Sequence, residues 1–84
     1  MNREEAQNFA VGINNLCESG TLDWDVVDGL DHPCRTMISE NSHYVEEGQV
    51  DESVSALGFI DIVKEEYLQQ YVDFISQQLH QQGY

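Results

Sequence analysis

Four aspartates, Asp23, Asp25, Asp28 and Asp31, gather around Gly29, a set of oxygen ligands that could hold a calcium ion. The register does not fit. Counted from Asp23 as the first ligand, the glycine falls one place late, Val27 takes a ligand position and Cys34 stands where a bidentate glutamate belongs. Solvated acids at helix ends are the simpler assignment. Cys17, His32, Cys34 and His43 carry zinc-ligand chemistry, but His32-Pro33-Cys34 leaves a single residue between ligands where about two to four are usual. Both cysteines instead fall on apolar stripes, where a free thiol behaves as a small buried hydrophobe. Glu46-Glu47 and Glu65-Glu66 are adjacent, so on a helix each pair diverges by about 100° and cannot share a proton. There is no glycine-rich phosphate loop and no nucleophile elbow. Neither catalysis nor a metal or other cofactor is expected.

The elements that must position these residues read as helices. Ala6, Phe9, Ala10, Ile13, Leu16 and Cys17 recur at helical spacing, Glu4 and Glu5 suit the positive end of the helix dipole, and Gly20 is a natural stop. Thr21 or Asp23 can cap a short second helix carrying Leu22, Val26, Val27 and Leu30. Asp31-His32-Pro33 starts a third, because proline suits the first helical turn, with Cys34, Met37, Ile38 and Tyr44 or Val45 inward. After Gly48, a cap at Asp51 or Ser53 opens the longest periodic run: Val54, Leu57, Ile60, Val63, Tyr67, Tyr71, Phe74, Ile75 and Leu79. One helix from Glu52 to about Gln81, roughly 45 Å long and bendable at Gly58, is the expectation; strand character over Phe59–Val63 is the runner-up. The fold class is therefore all-α, a single domain over residues 1–84 built from three short helices and one long C-terminal helix.

Composition sets the class of partner. Sixteen Asp and Glu stand against three Lys and Arg, a formal net charge of −13 on 84 residues. Direct binding of nucleic acid is disfavoured by that charge. Twenty-two Leu, Ile, Val and Phe, about a quarter of the chain, lift it above the composition of disordered acidic segments. So small a core leaves a margin on the order of 3 to 5 kcal/mol, which partner binding or a homodimer would raise. No run of ~18 apolar residues and no signal-peptide pattern occur, so a cytoplasmic protein without membrane contact is expected.

The acids are also unevenly placed. Five lie between Glu18 and Asp31 and five between Glu40 and Glu52, with no base inside either stretch. Carboxylates three or four residues apart on a helix repeat every ~5 to 6 Å, which lets a rigid bundle present negative charge in a row as a duplex backbone does. In size, charge and compactness the chain resembles the small acidic inhibitors that phages deploy as DNA mimics against restriction enzymes, CRISPR effectors or uracil-DNA glycosylase. That resemblance covers the whole chain and rests on no diagnostic motif. Glu52-Ser53-Val54 is similar to the Glu-Ser-Ile contact of the uracil-DNA glycosylase inhibitors, where the tripeptide lies on a β-strand; here it falls at an expected helix start. The resemblance implies an inhibitor that occupies the basic groove of a nucleic-acid-handling protein, with Asp23, Asp25, Asp28, Asp31, Glu46, Glu47, Asp51 and Glu52 as the contacting acids. Trp24, between two of them, reads as either core or anchor. The alternative is a non-catalytic adaptor that completes an assembly through an apolar face, and a thiol or metal enzyme is third.

Crowded carboxylates repel one another more in the folded chain than in the unfolded one, so the folded chain should take up protons more readily. Groups shifted upward in this way add stability as pH falls from 7 through their folded values toward the unfolded ones near ~4. Caps at Asp31 or Asp51 would work in the opposite direction. The thermal midpoint is expected to rise between about pH 7 and pH 5.5, and to rise with moderate salt at pH 7. A midpoint that drops on acidification and ignores salt would show that local pairing outweighs the net field.

Overall fold

A computed structural model describes all 84 residues, with α1 at Arg3–Glu18, α2 at Trp24–Gly29, α3 at Asp31–Glu40 and α4 at Glu65–Gln81. Single 3-10 turns at Ser42–Tyr44 and Gly58–Asp61 complete an all-α fold. Asn2 starts α1 through a reciprocal capping box: the Glu5 amide donates to Asn2 Oδ1 at 2.8 Å and the Asn2 amide to Glu5 Oε1 at 3.1 Å. Gly20, at φ +80°, takes the left-handed conformation that ends the helix, as expected of that glycine. Asp23 caps α2, its Oδ1 accepting from the Asp25 amide at 2.9 Å. Pro33 lies in the first turn of α3, where its missing N–H costs no hydrogen bond.

Two expectations along these helices need correction. Ala6, Ile13 and Cys17 form the buried line of α1, with Phe9 and Ala10 half-buried beside it, but Leu16 is exposed. One residue before Cys17, it is turned about 100° from that line, beyond the reach of a narrow core. Tyr44 and Val45 are not on α3, which ends at Glu40; they belong to the 3-10 turn and the extended residue after it.

The larger correction is at the C-terminal half. No helix runs from Glu52 to Gln81: α4 begins at Glu65, and the cap-like Asp51 and Ser53 form a local turn instead of a helix start. The stretch between α3 and α4 is a long connection that turns back at Gly48, φ +86°, and then dives into the core with Ala56, Phe59, Ile60 and Val63 all buried. Strand character survives only as an isolated antiparallel bridge between Val45 and Val63, reinforced by the Lys64 amide donating to the Tyr44 carbonyl at 2.8 Å.

A buried connection must find partners for its backbone polar groups, and here they come from side chains remote in sequence. Arg3 on α1 donates to the Ile60 and Val63 carbonyls at 2.7 and 2.6 Å. Arg35 on α3 donates to the Asp51 carbonyl at 2.9 Å and to the Val54 carbonyl. Ala56 is held from both sides: its amide donates to Asp31 Oδ1 at 2.8 Å, and its carbonyl accepts from the buried Tyr71 hydroxyl. Tyr71 also meets Phe59 edge-on at 6.1 Å between ring centres. The core these contacts close is wholly apolar apart from such tips, with no buried charged side chain.

Replacing Arg3 by Ala removes two charge-assisted hydrogen bonds and leaves two carbonyls short of a donor, an expected loss of about 2–4 kcal/mol. Tyr71→Phe, which orphans only the Ala56 carbonyl, should cost about 1–2 kcal/mol. Urea unfolding of both variants checks the order. Near-wild-type stability in the Arg3 variant would show that water replaces the guanidinium without cost.

Candidate functional site

Every Asp and Glu except Asp31 is exposed, and a single ion pair forms in the whole molecule, Lys64 Nζ to Glu46 Oε1 at 3.9 Å. The reason lies in the connection just described. Arg3 and Arg35 direct their guanidinium groups to backbone carbonyls, Arg35 also lying 5.6 Å over the Phe59 ring, and neither forms an ion pair with a surface carboxylate. Apart from Lys64 beside Glu46, the outer surface is left with an acid field that no ion pair interrupts.

The expected site residues separate into two groups. Asp23, Trp24, Asp25 and Asp28 belong to α2 and its cap. Glu46, Glu47, Asp51 and Glu52 lie on the connection after the 3-10 turn. Asp31, at the start of α3, ties the two together through the Ala56 amide. Three of the acids therefore have structural work: Asp23 caps α2, Asp31 holds Ala56, and Asp51 closes a turn by accepting from the Ser53 amide at 2.8 Å and from the Ser53 hydroxyl. The Ser53 hydroxyl and amide hold the Asp51 carboxyl below its ordinary value, with a smaller contribution from Arg35 opposed by partial desolvation. A depressed carboxyl contributes stability above its unfolded value and loses it as pH falls through the folded one, so its effect is confined to pH below about 4. It does not oppose the rise expected between about pH 7 and 5.5. Asp25, Asp28, Glu47 and Glu52 make no such side-chain bonds and are free to meet a partner.

Trp24 is exposed and not a core residue, with 46% of its surface accessible. Beside it, Asp25, Val26, Gly29, Leu30 and Pro33 face Gln78 and Gln82 of the α4 end across a shallow cavity of about 260 Å³. No three His, Cys, Asp or Glu side chains converge in a way that could hold a metal ion. Set against known proteins, the chain matches no family model, no curated protein and no solved structure. No helix is long and apolar enough to cross a membrane.

A surface stack of aromatic rings was not legible in the sequence. Tyr44 and Tyr67 lie face to face with centres 4.4 Å apart and planes inclined 12°, and His43 meets both edge-on at 4.8 and 5.1 Å. The only local signal is the aromatic pair His43-Tyr44; Tyr67 arrives from α4 through the Val45–Val63 bridge.

The cysteines are free and buried, on α1 and α3. Burial pushes the Cys34 thiol up to about 11, with the neighbouring Tyr71 hydroxyl opposing the rise and nearby Asp31 adding to it. Burial, then Asp23 and Asp28, push the Cys17 thiol up as well. Neither is a thiolate near neutral pH. Both should resist a thiol-specific reagent at about pH 8 in the native protein and react quickly once unfolded in denaturant. Rapid native labelling at either position would contradict the packing described here.

Proposed function

We propose that this protein binds a positively charged, nucleic-acid-binding surface of another protein and blocks it, its carboxylates taking the places of phosphates. The observation that carries this reading is the nearly complete separation of charge. The acids occupy the exterior, and the two arginines are turned into the fold against carbonyl oxygens. Solubility of a small domain needs a charge magnitude of roughly 2 to 8, and −13 exceeds it at the expense of self-repulsion. Such a field steers association with a basic partner over a Debye length and discriminates against acidic ones. Restriction enzymes, CRISPR effectors and uracil-DNA glycosylases present basic grooves of this kind and belong to the class of target this reading predicts. The role is one of occupation and not of chemistry, so no catalytic residue is assigned. Asp25, Asp28, Glu47 and Glu52 carry the contact, with Trp24 as the apolar anchor of the α2 group; Asp23, Asp31, Asp51 and Glu46 are held by partners within the fold and contribute mainly to the field.

The competing assignment, an adaptor held by apolar burial, is separated by salt. For a mimic, affinity for a captured partner is expected to fall at least tenfold between about 50 and 200 mM salt, and duplex DNA should displace the partner. Paired reversals Asp25→Lys with Asp28→Lys, and Glu47→Lys with Glu52→Lys, should each slow association about tenfold or more while leaving the thermal midpoint equal or higher, since they relieve repulsion as they remove steering. Affinity that survives about 1 M salt, or reversals without effect on the association rate, would overturn the proposal.

A further inference from the structure

Three shallow depressions that share lining residues lie in series beside α3 and are treated as one groove. The central one, about 330 Å³, is lined by Arg35, Ile38, Ser39, Ser42, Val45 and Val50. It continues past Ser42, Val45 and Val50 into a depression of about 480 Å³ walled by Glu46, Glu47 and Gly48. In the other direction it runs past Arg35 and Ser39 to the outer surface of α3 at Glu40. The floor is apolar because Ile38 and Val45 are core residues reached from outside, and Val50, 38% exposed, stands over them on the returning connection. The rim is acidic. Arg35 is directed inward to the Asp51 and Val54 carbonyls and the Phe59 ring, and Lys64 lies 3.9 Å from Glu46, so Glu47 and Glu40 are the rim carboxylates that no ion pair engages.

An apolar floor between carboxylate rims is complementary to a polypeptide, because a nucleic acid offers no aliphatic side chain to fill it. We infer that this groove seats a branched aliphatic side chain, leucine or isoleucine, of a partner segment in which that residue is flanked by lysine or arginine. The inference rests on the reading of the protein as a binder of basic partners and adds to it a means of selection. Long-range charge brings in any cationic surface, whereas burial of one aliphatic side chain depends on sequence. The glutamates meet the flanking cations on either side of the seat, and Ser39 and Ser42 line its wall.

The test uses two blocked peptides, Lys-Lys-Leu-Lys-Lys and Lys-Lys-Ser-Lys-Lys, titrated into the isotopically labelled protein at about 20 mM salt and followed by amide chemical shifts. The leucine peptide is expected to bind about tenfold more tightly than the serine peptide, with its distinctive shifts at Ile38, Ser39, Ser42, Val45 and Val50. Val50→Ser removes part of the seat and Ser39→Trp fills it; both positions are exposed, so the fold is retained, and each variant should bring the two peptides to equal affinity. Equal affinity in the wild-type protein, or a leucine preference whose shifts fall on another surface, overturns the groove while leaving the acidic-surface reading standing. Binding of neither peptide at low salt overturns that reading and the groove with it.

Discussion

Arg3 and Arg35 reach from α1 and α3 to the same stretch of non-helical chain, and both end on carbonyl oxygens. The residues between Val45 and Lys64 supply Ala56, Phe59, Ile60 and Val63 to the core, yet they have too little regular structure to satisfy their own backbone. A buried carbonyl without a donor costs about 1–3 kcal/mol, and several together would exceed the margin of a domain this small. The guanidinium is suited to the task because its several N–H groups serve two carbonyls at once and its charge strengthens each bond. Asp31 and Tyr71 complete the arrangement at Ala56, one accepting from its amide and the other donating to its carbonyl. Helix packing follows from this pinned segment, since α1 and α4 each lie against the Gly58–Asp61 turn as well as against each other.

The same choice shapes the electrostatics. Two of the three bases are drawn to backbone oxygens, and the third, Lys64, stands 3.9 Å from Glu46 at the point where the connection enters α4. All three cations therefore act on the connection, and the carboxylates of α1, α2 and α4 form no ion pair. Repulsion among exposed acids is moderate in water and screened by salt, so the fold tolerates it provided that the apolar core and the pinned connection hold. Carboxylates that would be surplus for solubility are thus sustained by a few hydrogen bonds that contain no carboxylate, apart from Asp31.

How far the sequence could be read follows from how local the determining contacts are. Gly20, Asp23 and Pro33 act on residues within one helical turn, and α1 ends and α2 and α3 begin close to where those residues place them. The interval Val54, Leu57, Ile60, Val63 is threefold, a spacing shared by an α-helix face and by a succession of tight turns, and nothing nearby decides between them. What decides is remote: Asp31 acts across 25 residues on Ala56, and Arg3 across 60 on Val63. Once the Ala56 amide and the Ile60 and Val63 carbonyls are engaged by side chains, a continuous helix through them has lost its own partners. The site was legible as composition and not as geometry. Charge density located the acid stretches, but the structural duties of Asp23, Asp31 and Asp51, the exposure of Trp24 and the Tyr44–Tyr67 stack depend on how distant segments meet.

Arg35 joins the two halves of this account, because it pins the connection on one side and walls the groove along α3 on the other. The segment that closes the groove, from Val45 to Val54, is also the one with the least regular structure, bounded by the Gly48 turn and the Asp51–Ser53 turn. Local opening of such a segment costs less free energy than global unfolding, and it would dissolve the groove before it dissolved the core. Any ligand that requires the closed form adds its binding free energy to that local equilibrium. A ligand seated in the groove would therefore stabilise the ordered connection, which Arg35 ties to α3 through the Asp51 and Val54 carbonyls.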